Sequence, residues 1–450
     1  MAVTTTSMLA DFVASLTFAS LPVELIQRVK RQGIDTVGVA LAGVSEDAAR
    51  AVRQIVPTVP GQGSSSVWGT DWCTTAADAA LANATAAHAL DFDDMWLPGS
   101  HPSSPTLPAA IALAEARHCS GADLIAAQAA GYEVMGRVHS AVTGRAGWHP
   151  TGVFGTFGAV AAASWLLGLS AHQTEMAFGI ASSMAGGIEG HSGTMTKALH
   201  AGLASQSGVR AALLAEQGFT ASSSAFEGKH SFFASFFGSV TSQTWRLTAN
   251  LGRDWHLLNP GIGIKVYPAG YYMHHTFEAA LAIVEEHDLA PDDVVDVRIG
   301  VTHHRFDRQS PRGGLDAKFS LQYMAVAAIL FRRLTVDLFD PSIMERDDVR
   351  SLLARTELRP DGELTHNLDL ANNPVTIRCT GGREYTETVV FPRSHWRTDL
   401  PRDTWIGKFR QNTAPLLGSQ QADRVVTVFD DLEALEDVGE LTSLLRPAVA

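Results

Sequence analysis

Titratable side chains gather at four places in this chain, and each gathering joins residue types that can move a proton or hold an anion. The first is His88-Ala-Leu-Asp91-Phe-Asp93-Asp94, followed by Gly99-Ser100-His101-Pro102. Carboxylates this close can raise one another's pKa, and each can orient a histidine by accepting its second N–H. On helical spacing Asp91 and Asp94 share a face while Asp93 points elsewhere. An acidic helix cap and turn with a solvated His101 fits the same residues. A calcium loop fits poorly, because the DxDxDG spacing and its closing Glu are absent.

The second place is Gly147-Trp148-His149-Pro150-Thr151-Gly152, at the start of an apolar, glycine-lined helix. A helix N-terminus suits an anion and holds a nearby histidine neutral. A capping His149 with Trp148 in the core is the plainer alternative. The third is Gly193-Thr-Met-Thr-Lys197-Ala-Leu-His200, where Lys197 is the only lysine between Lys30 and Lys229. A lysine inside a core must find a carboxylate or lose its proton; one that snorkels outward need do neither. The fourth is Gly263-Ile-Lys265-Val-Tyr267-Pro268, with Asp316-Ala-Lys318-Phe-Ser320-Leu-Gln-Tyr323 further on. Taken singly, Lys265 and Lys318 read as surface charges and Tyr323 as core.

Together these segments offer bases, acids and cations without a cofactor motif. That set suits proton abstraction beside a carboxylate or carbonyl. GxxxxGK[ST], a strand-to-helix GxGxxG, HExxH and a GxSxG elbow are all missing. Asp91, Asp94 and His101 could form a carboxylate–histidine metal site, but nothing else has ligand spacing, so no metal is expected.

The elements that must position these residues follow from composition and pattern. The 450 residues are 46% hydrophobic and only 18% charged, with a net charge of −13. That excludes a disordered chain and disfavours nucleic acid and anionic lipid as partners. Three scattered cysteines suggest no disulfide framework and fit a reducing cytoplasm. The opening stretch has no basic leader, and the longest apolar run is too short for a bilayer, so neither a secretory signal nor a membrane span is expected.

Apolar residues at helical spacing predict helices over 23–41, 76–89, 107–117, 121–142, 153–167, 171–184 and 198–217. Residues 91–105 read as a loop between two of them. Gly152, Gly155 and Gly158 recur every three residues, which lets another backbone approach closely. After a breaker cluster at 259–263, alternation over 294–301 predicts a strand, and 375–380 with 384–391 predicts a hairpin around Gly381-Gly382. The expected fold is mainly α: a large all-helical bundle domain from 1–258 and 396–450, with a smaller α+β domain inserted at 259–395.

With these segments in view, the sequence resembles the MmgE/PrpD family, which includes 2-methylcitrate dehydratases, cis-aconitate decarboxylases and iminodisuccinate epimerases. The matching stretches are HALDFDD (88–94), SHPSSPTLPAAIALAE (100–115), GWHPTGVFGTFGAVAAA (147–163), GTMTKALHAGLASQSGVRAALLA (193–215), KVYP (265–268) and DAKFSLQY (316–323). They run in family order across most of the chain.

The resemblance implies a homodimer with its active site between the two domains, and cofactor-independent chemistry on a small di- or tricarboxylate. It carries over Asp91, Asp94, His101, His149, Lys197, Lys265 and Tyr323. His101 and His149 would exchange protons with substrate, Lys197 and Lys265 would bind its carboxylates, and Asp91 or Asp94 would orient a histidine. Two departures matter. Met95 follows DFDD where decarboxylating members have Thr, and Gly270 stands where they tend to have His. Both remove polar groups from the expected pocket and disfavour cis-aconitate decarboxylation. A hydro-lyase of the 2-methylcitrate dehydratase kind is the leading expectation; an epimerase and a non-catalytic binding protein are the alternatives.

Overall fold

The computed structural model describes residues 4–59, 64–96, 99–144, 146–238, 243–302, 307–311, 313–361, 364 and 373–448. The part that builds the site is helical: α1 (Val23–Gly43), α2 (Ala76–Ala89), α3 (Ser103–Ala116), α4 (Gly121–Ser140), α5 (Pro150–Leu166) and α6 (Met195–Glu216). Alanine dominates α2, and only Asp78 of its fourteen residues escapes burial. Such small side chains let helices pack on every face with little loss of rotamer freedom.

Three helices begin earlier than apolar periodicity predicts, α6 among them at Met195. α3 starts at Ser103, although Pro105 lies in its first turn. The first N–H groups of a helix have no intrahelical partner, so a proline there removes nothing. α5 starts at Pro150 with His149 as its N-cap residue.

The glycine stripe does bring backbones together. A Cβ on Gly152 would sit 2.4 Å from the carbonyl of Gly186, and one on Gly155 2.6 Å from Pro105. Gly202 plays the same part between α6 and α2, since a Cβ there would lie 2.2 Å from Thr85 Oγ1 and 2.7 Å from the Leu81 carbonyl.

The second part is α+β. Strand β1 (Val294–Val301) is central, parallel to β2 (Thr356–Pro360) and antiparallel to β3 (Val375–Cys379). β3 turns through Gly381 and Gly382, both in left-handed backbone, into β4 (Glu384–Glu387), as the Gly-Gly pair predicts. Helices α7 (Tyr271–Glu286) and α8 (Leu321–Phe331) pack against this sheet.

Buried apolar residues separate into two main clusters. One runs from Leu9 to Ile262 and resumes at Ile406 on the C-terminal helix α9 (Arg402–Asp430); the other lies between Tyr267 and Cys379. The fold is therefore mainly α with an α+β second core. Among the described residues, no helix is long and apolar enough to cross a membrane.

Replacing Gly202 by Ala should destabilise the protein by about 1–3 kcal/mol through overpacking of α6 on α2. A Cβ on Gly407 in α9 meets no atom within 4 Å, so Gly407→Ala should leave stability unchanged or raised. Thermal unfolding of the two variants checks the contrast, and equal midpoints would refute it.

Candidate active site

Helix α2 ends at Ala89, and the chain turns out of it through Asp91, whose φ is 52°. The last carbonyls of a helix have no intrahelical donor and carry partial negative charge. Here three successive carbonyls each receive a buried ammonium. Lys318 donates to the Leu90 carbonyl at 2.9 Å, Lys265 to that of Asp91 at 2.9 Å and Lys408 to that of Phe92 at 2.8 Å. Lys318 also donates to the Pro268 carbonyl at 2.9 Å, and Lys408 pairs with Asp35 at 2.6 Å. Lys265 and Lys318 are thus buried, not the surface charges they resemble singly.

This anchored turn presents two carboxylates to the site. Asp91 pairs with Lys265 through Oδ1 and with Lys197 through Oδ2 at 3.3 Å. Burial alone would raise its carboxyl, but the two ammonium groups pull it well below the ordinary range. Asp93 faces the histidines: its Oδ2 lies 2.8 Å from His88 Nδ1 and 3.3 Å from His101 Nδ1. Burial opposes its charge, and His101 and His88 outweigh burial to hold it ionised.

Helical spacing misassigns these acids. Because the chain leaves the helix at Asp91 in left-handed backbone, the three-residue rule for a shared face does not apply beyond it. Asp94 touches neither histidine. It accepts from the Ser103 N–H at 3.2 Å and from the Ser103 hydroxyl, fastening the start of α3, and burial raises its carboxyl well above the usual value.

His101 Nε2 lies 3.7 Å from Asp91 Oδ1. His149, at the N-terminus of α5, approaches His200 of α6 with the two Nδ1 atoms 3.1 Å apart. One must donate to the other, so the proton between them decides whether His149 offers a lone pair or an N–H on its far nitrogen. Burial pushes His149 well below its ordinary pKa and takes His200 to about 4, so both rings are neutral near pH 7.

Asp91, His101, His149, Lys197 and Lys265 all line one cavity. Met95 and Gly270, the two departures from decarboxylating members, line it as well, with Tyr271, Tyr272, Met273 and Phe319. The N-termini of α5 and α6 meet it at His149 and Lys197, adding partial positive charge for an anion. Tyr323 is elsewhere: its hydroxyl donates to the Leu338 carbonyl inside the second core. From the same motif it is Phe319 that reaches the cavity. A larger cavity of about 610 Å³ shares Asp91, Lys197 and Phe319 with it and is lined also by His88.

His88, Asp93 and His101 place three potential metal-ligand atoms within 4.8 Å of one another. Both ring nitrogens of His88 are already engaged, Nδ1 with Asp93 and Nε2 with Lys197, so His88 offers a metal no free lone pair unless one of those contacts is given up.

Comparison with known proteins agrees with this architecture. The MmgE/PrpD N-terminal domain matches residues 7–244 and the MmgE/PrpD C-terminal domain residues 267–434. A cis-aconitate decarboxylase from Homo sapiens is 32% identical, over 98% of this chain and 94% of its own. One from Mus musculus is 32% identical over 94% and 89%, and one from Aspergillus terreus is 23% identical over 98% and 96%. By those names, these relatives are carboxy-lyases.

Burial lowers Lys318 to about 8 from 10.5, against the pull of Glu46. Between those values the unfolded chain binds a proton that the folded chain does not, so this lysine makes stability rise with pH from about 8 towards 10.5. Lys318→Met removes that rise. The stability difference between wild type and variant should then grow by about 1.4 kcal/mol per pH unit within this window. Urea denaturation at pH 7.5, 8.5 and 9.5 measures it; a constant difference would show that Lys318 keeps an ordinary pKa.

Proposed function

This chain belongs to the MmgE/PrpD family, and from that premise we propose that it is a cofactor-independent lyase acting on a small di- or tricarboxylate. The observation that carries the reading is a single cavity bordered by two lysines on a shared aspartate and by two neutral histidines. Lys197 and Lys265 supply charge for the substrate's carboxylates, supported by two helix N-termini. The Asp93 carboxylate, 3.3 Å from His101 Nδ1, favours a proton there, and the Nε2 lone pair then serves as the base.

The preferred reaction is dehydration. His101 Nε2 takes the proton α to a carboxylate and the C–H pair forms the double bond. Hydroxide leaves from the adjacent carbon as water, with a proton supplied by the ammonium of Lys197. Met95 and Gly270 line the cavity without a polar group, which by the family resemblance, where decarboxylating members have Thr and tend to have His, favours dehydration over decarboxylation.

A second reading has its own support. Relatives named cis-aconitate decarboxylase match nearly the whole chain, which favours loss of CO2 from such a substrate with a proton returned to carbon. An epimerase would use His101 and His149 on opposite faces and release nothing.

Incubation with a panel of hydroxy- and unsaturated di- and tricarboxylates in D2O, followed by NMR, separates these reactions. Dehydration gives an alkene and water, decarboxylation gives CO2 with deuterium on carbon, and epimerisation gives only exchange and inversion. The expected outcome is alkene formation from an alkyl- or carboxymethyl-substituted hydroxy acid, reduced about 10²–10⁴-fold in His101→Asn or His149→Ala. If the panel yields no elimination, decarboxylation or exchange, the enzymatic reading fails.

A further inference from the structure

We propose that His88 is a positioning residue: its imidazole, anchored on Asp93, holds the ammonium of Lys197 in place. This rests on the reading of Lys197 and His101 as working groups of a polycarboxylate site.

His88 closes the last turn of α2 and lines the larger cavity of about 610 Å³, but neither it nor Asp93 borders the cavity that holds His101 and His149. Both ring nitrogens are nevertheless engaged. Nδ1 is 2.8 Å from Asp93 Oδ2, and Nε2 is 3.0 Å from Lys197 Nζ. The aspartate can only accept, so the ring proton is on Nδ1, and the Nε2 lone pair accepts from the ammonium. No other tautomer satisfies both contacts.

Burial drives His88 down to about 3, with Asp93 opposing and Lys197 assisting. The ring is therefore uncharged near neutral pH. A charged ring here would add a third cation to Lys197 and Lys265, with only Asp91 and Asp93 to offset them.

The geometry defines what His88 does for Lys197. An ammonium has three N–H groups. His88 Nε2 takes one and Asp91 Oδ2, at 3.3 Å, faces a second. The third remains for a carboxylate in the cavity that Lys197 borders. A flexible side chain, which normally loses much rotamer entropy on fixing its head, is thus held before substrate arrives.

Asp93 Oδ2 hydrogen-bonds His88 Nδ1 at 2.8 Å and lies 3.3 Å from His101 Nδ1, so the carboxylate that sets the tautomer of His88 also favours, by its charge, an Nδ1 proton on His101. The rings themselves are close, His88 lying 4.5 Å from His101 edge-on and 5.7 Å from His149 stacked. No proton moves through His88 in this arrangement, which separates it from a relay.

The test begins without substrate, on the free protein labelled with 15N-histidine. Long-range 1H–15N correlation should find His88 as the Nδ1–H tautomer, unchanged from pH 5.5 to 8.5. Lys197→Met should shift its Nε2 resonance to that of a free lone pair without changing the tautomer. Asp93→Asn, which keeps the packing, should scramble the tautomers of both His88 and His101. An Nε2–H tautomer, an imidazolium at pH 7, or an Nε2 resonance indifferent to Lys197→Met overturns the proposal even if no substrate is ever found.

On a turned-over substrate, His88→Phe should lower kcat/KM about 10–100-fold, and His88→Gln, whose amide can donate to Asp93 and accept from Lys197, should recover most of it. Equal losses in the two variants would also overturn it. Correct tautomers without turnover of any acid in the panel would instead refute the proposed function alone.

Discussion

Three buried ammonium groups on three consecutive carbonyls are the constraint on which the rest of this site depends. The turn after α2 must leave the helix at Asp91, in backbone that L-residues rarely adopt, and must do so inside the protein. Unpaired buried carbonyls would cost about 1–3 kcal/mol each. Lys318, Lys265 and Lys408 satisfy them, and each comes from a different stretch: the segment before α8, the link into the second core, and α9. The turn is therefore complete only when these distant parts of the chain have met. Asp91 and Asp93 take their orientation from it, and through them so do Lys197, His88 and His101.

That dependence explains an apparent contradiction in composition. The chain is poor in charge, with a net of −13, yet several of its lysines and aspartates are buried around one turn. A buried charge is tolerated when paired and hydrogen-bonded. Each lysine here has a carboxylate, a carbonyl or a histidine lone pair. Asp91 and Asp93 offset Lys197 and Lys265, and the histidines remain neutral. The excess of acid is a property of the surface and does not describe the cavity. Fixed lysines and two helix N-termini can accept a polyanion without first being reorganised.

Much of this is legible in the sequence, for identifiable reasons. The alanine-rich helix over 76–89, the strand over 294–301 and the Gly-Gly hairpin depend on local periodicity and turn chemistry, and the structure has them at those places. The glycine stripe announces close packing because side chains missing at a regular spacing leave a groove that a neighbouring backbone can enter. What stays hidden depends on departures from local regularity or on distant partners. Helical spacing points away from Asp93, and one left-handed residue at Asp91 invalidates that spacing. His88 sits in a polyalanine helix and gives no local sign that both its nitrogens are used. Lys318 resembles a surface charge, and Lys408 lies on a helix rich in polar residues; the carbonyls that hold them are hundreds of residues away. Tyr323 and Asp94 belong to motifs whose neighbours, Phe319 and Asp93, are the residues nearer the cavity or its histidines.

The same anchoring bears on how such a site can change its chemistry. The basic side of the cavity is tied into the interlocked turn, where altering one lysine or aspartate leaves a partner buried and unsatisfied. The other side is held more lightly. Met95 is fixed through its backbone, pairing with Gly263 at 3.0 and 2.8 Å, so its side chain can vary without disturbing that pairing. Gly270 is likewise held by its N–H on the Lys318 carbonyl, and a Cβ there would lie 3.2 Å from the ring of Phe319, tight but against a side chain. Polar or apolar groups can thus be exchanged at these two positions while the lysines, Asp91 and the histidines keep their geometry. On the proposed function, a fold arranged in this way separates the machinery for proton transfer beside a carboxylate from the wall that selects which carboxylate enters. Relatives with the same base and cations can then differ in the group they expel.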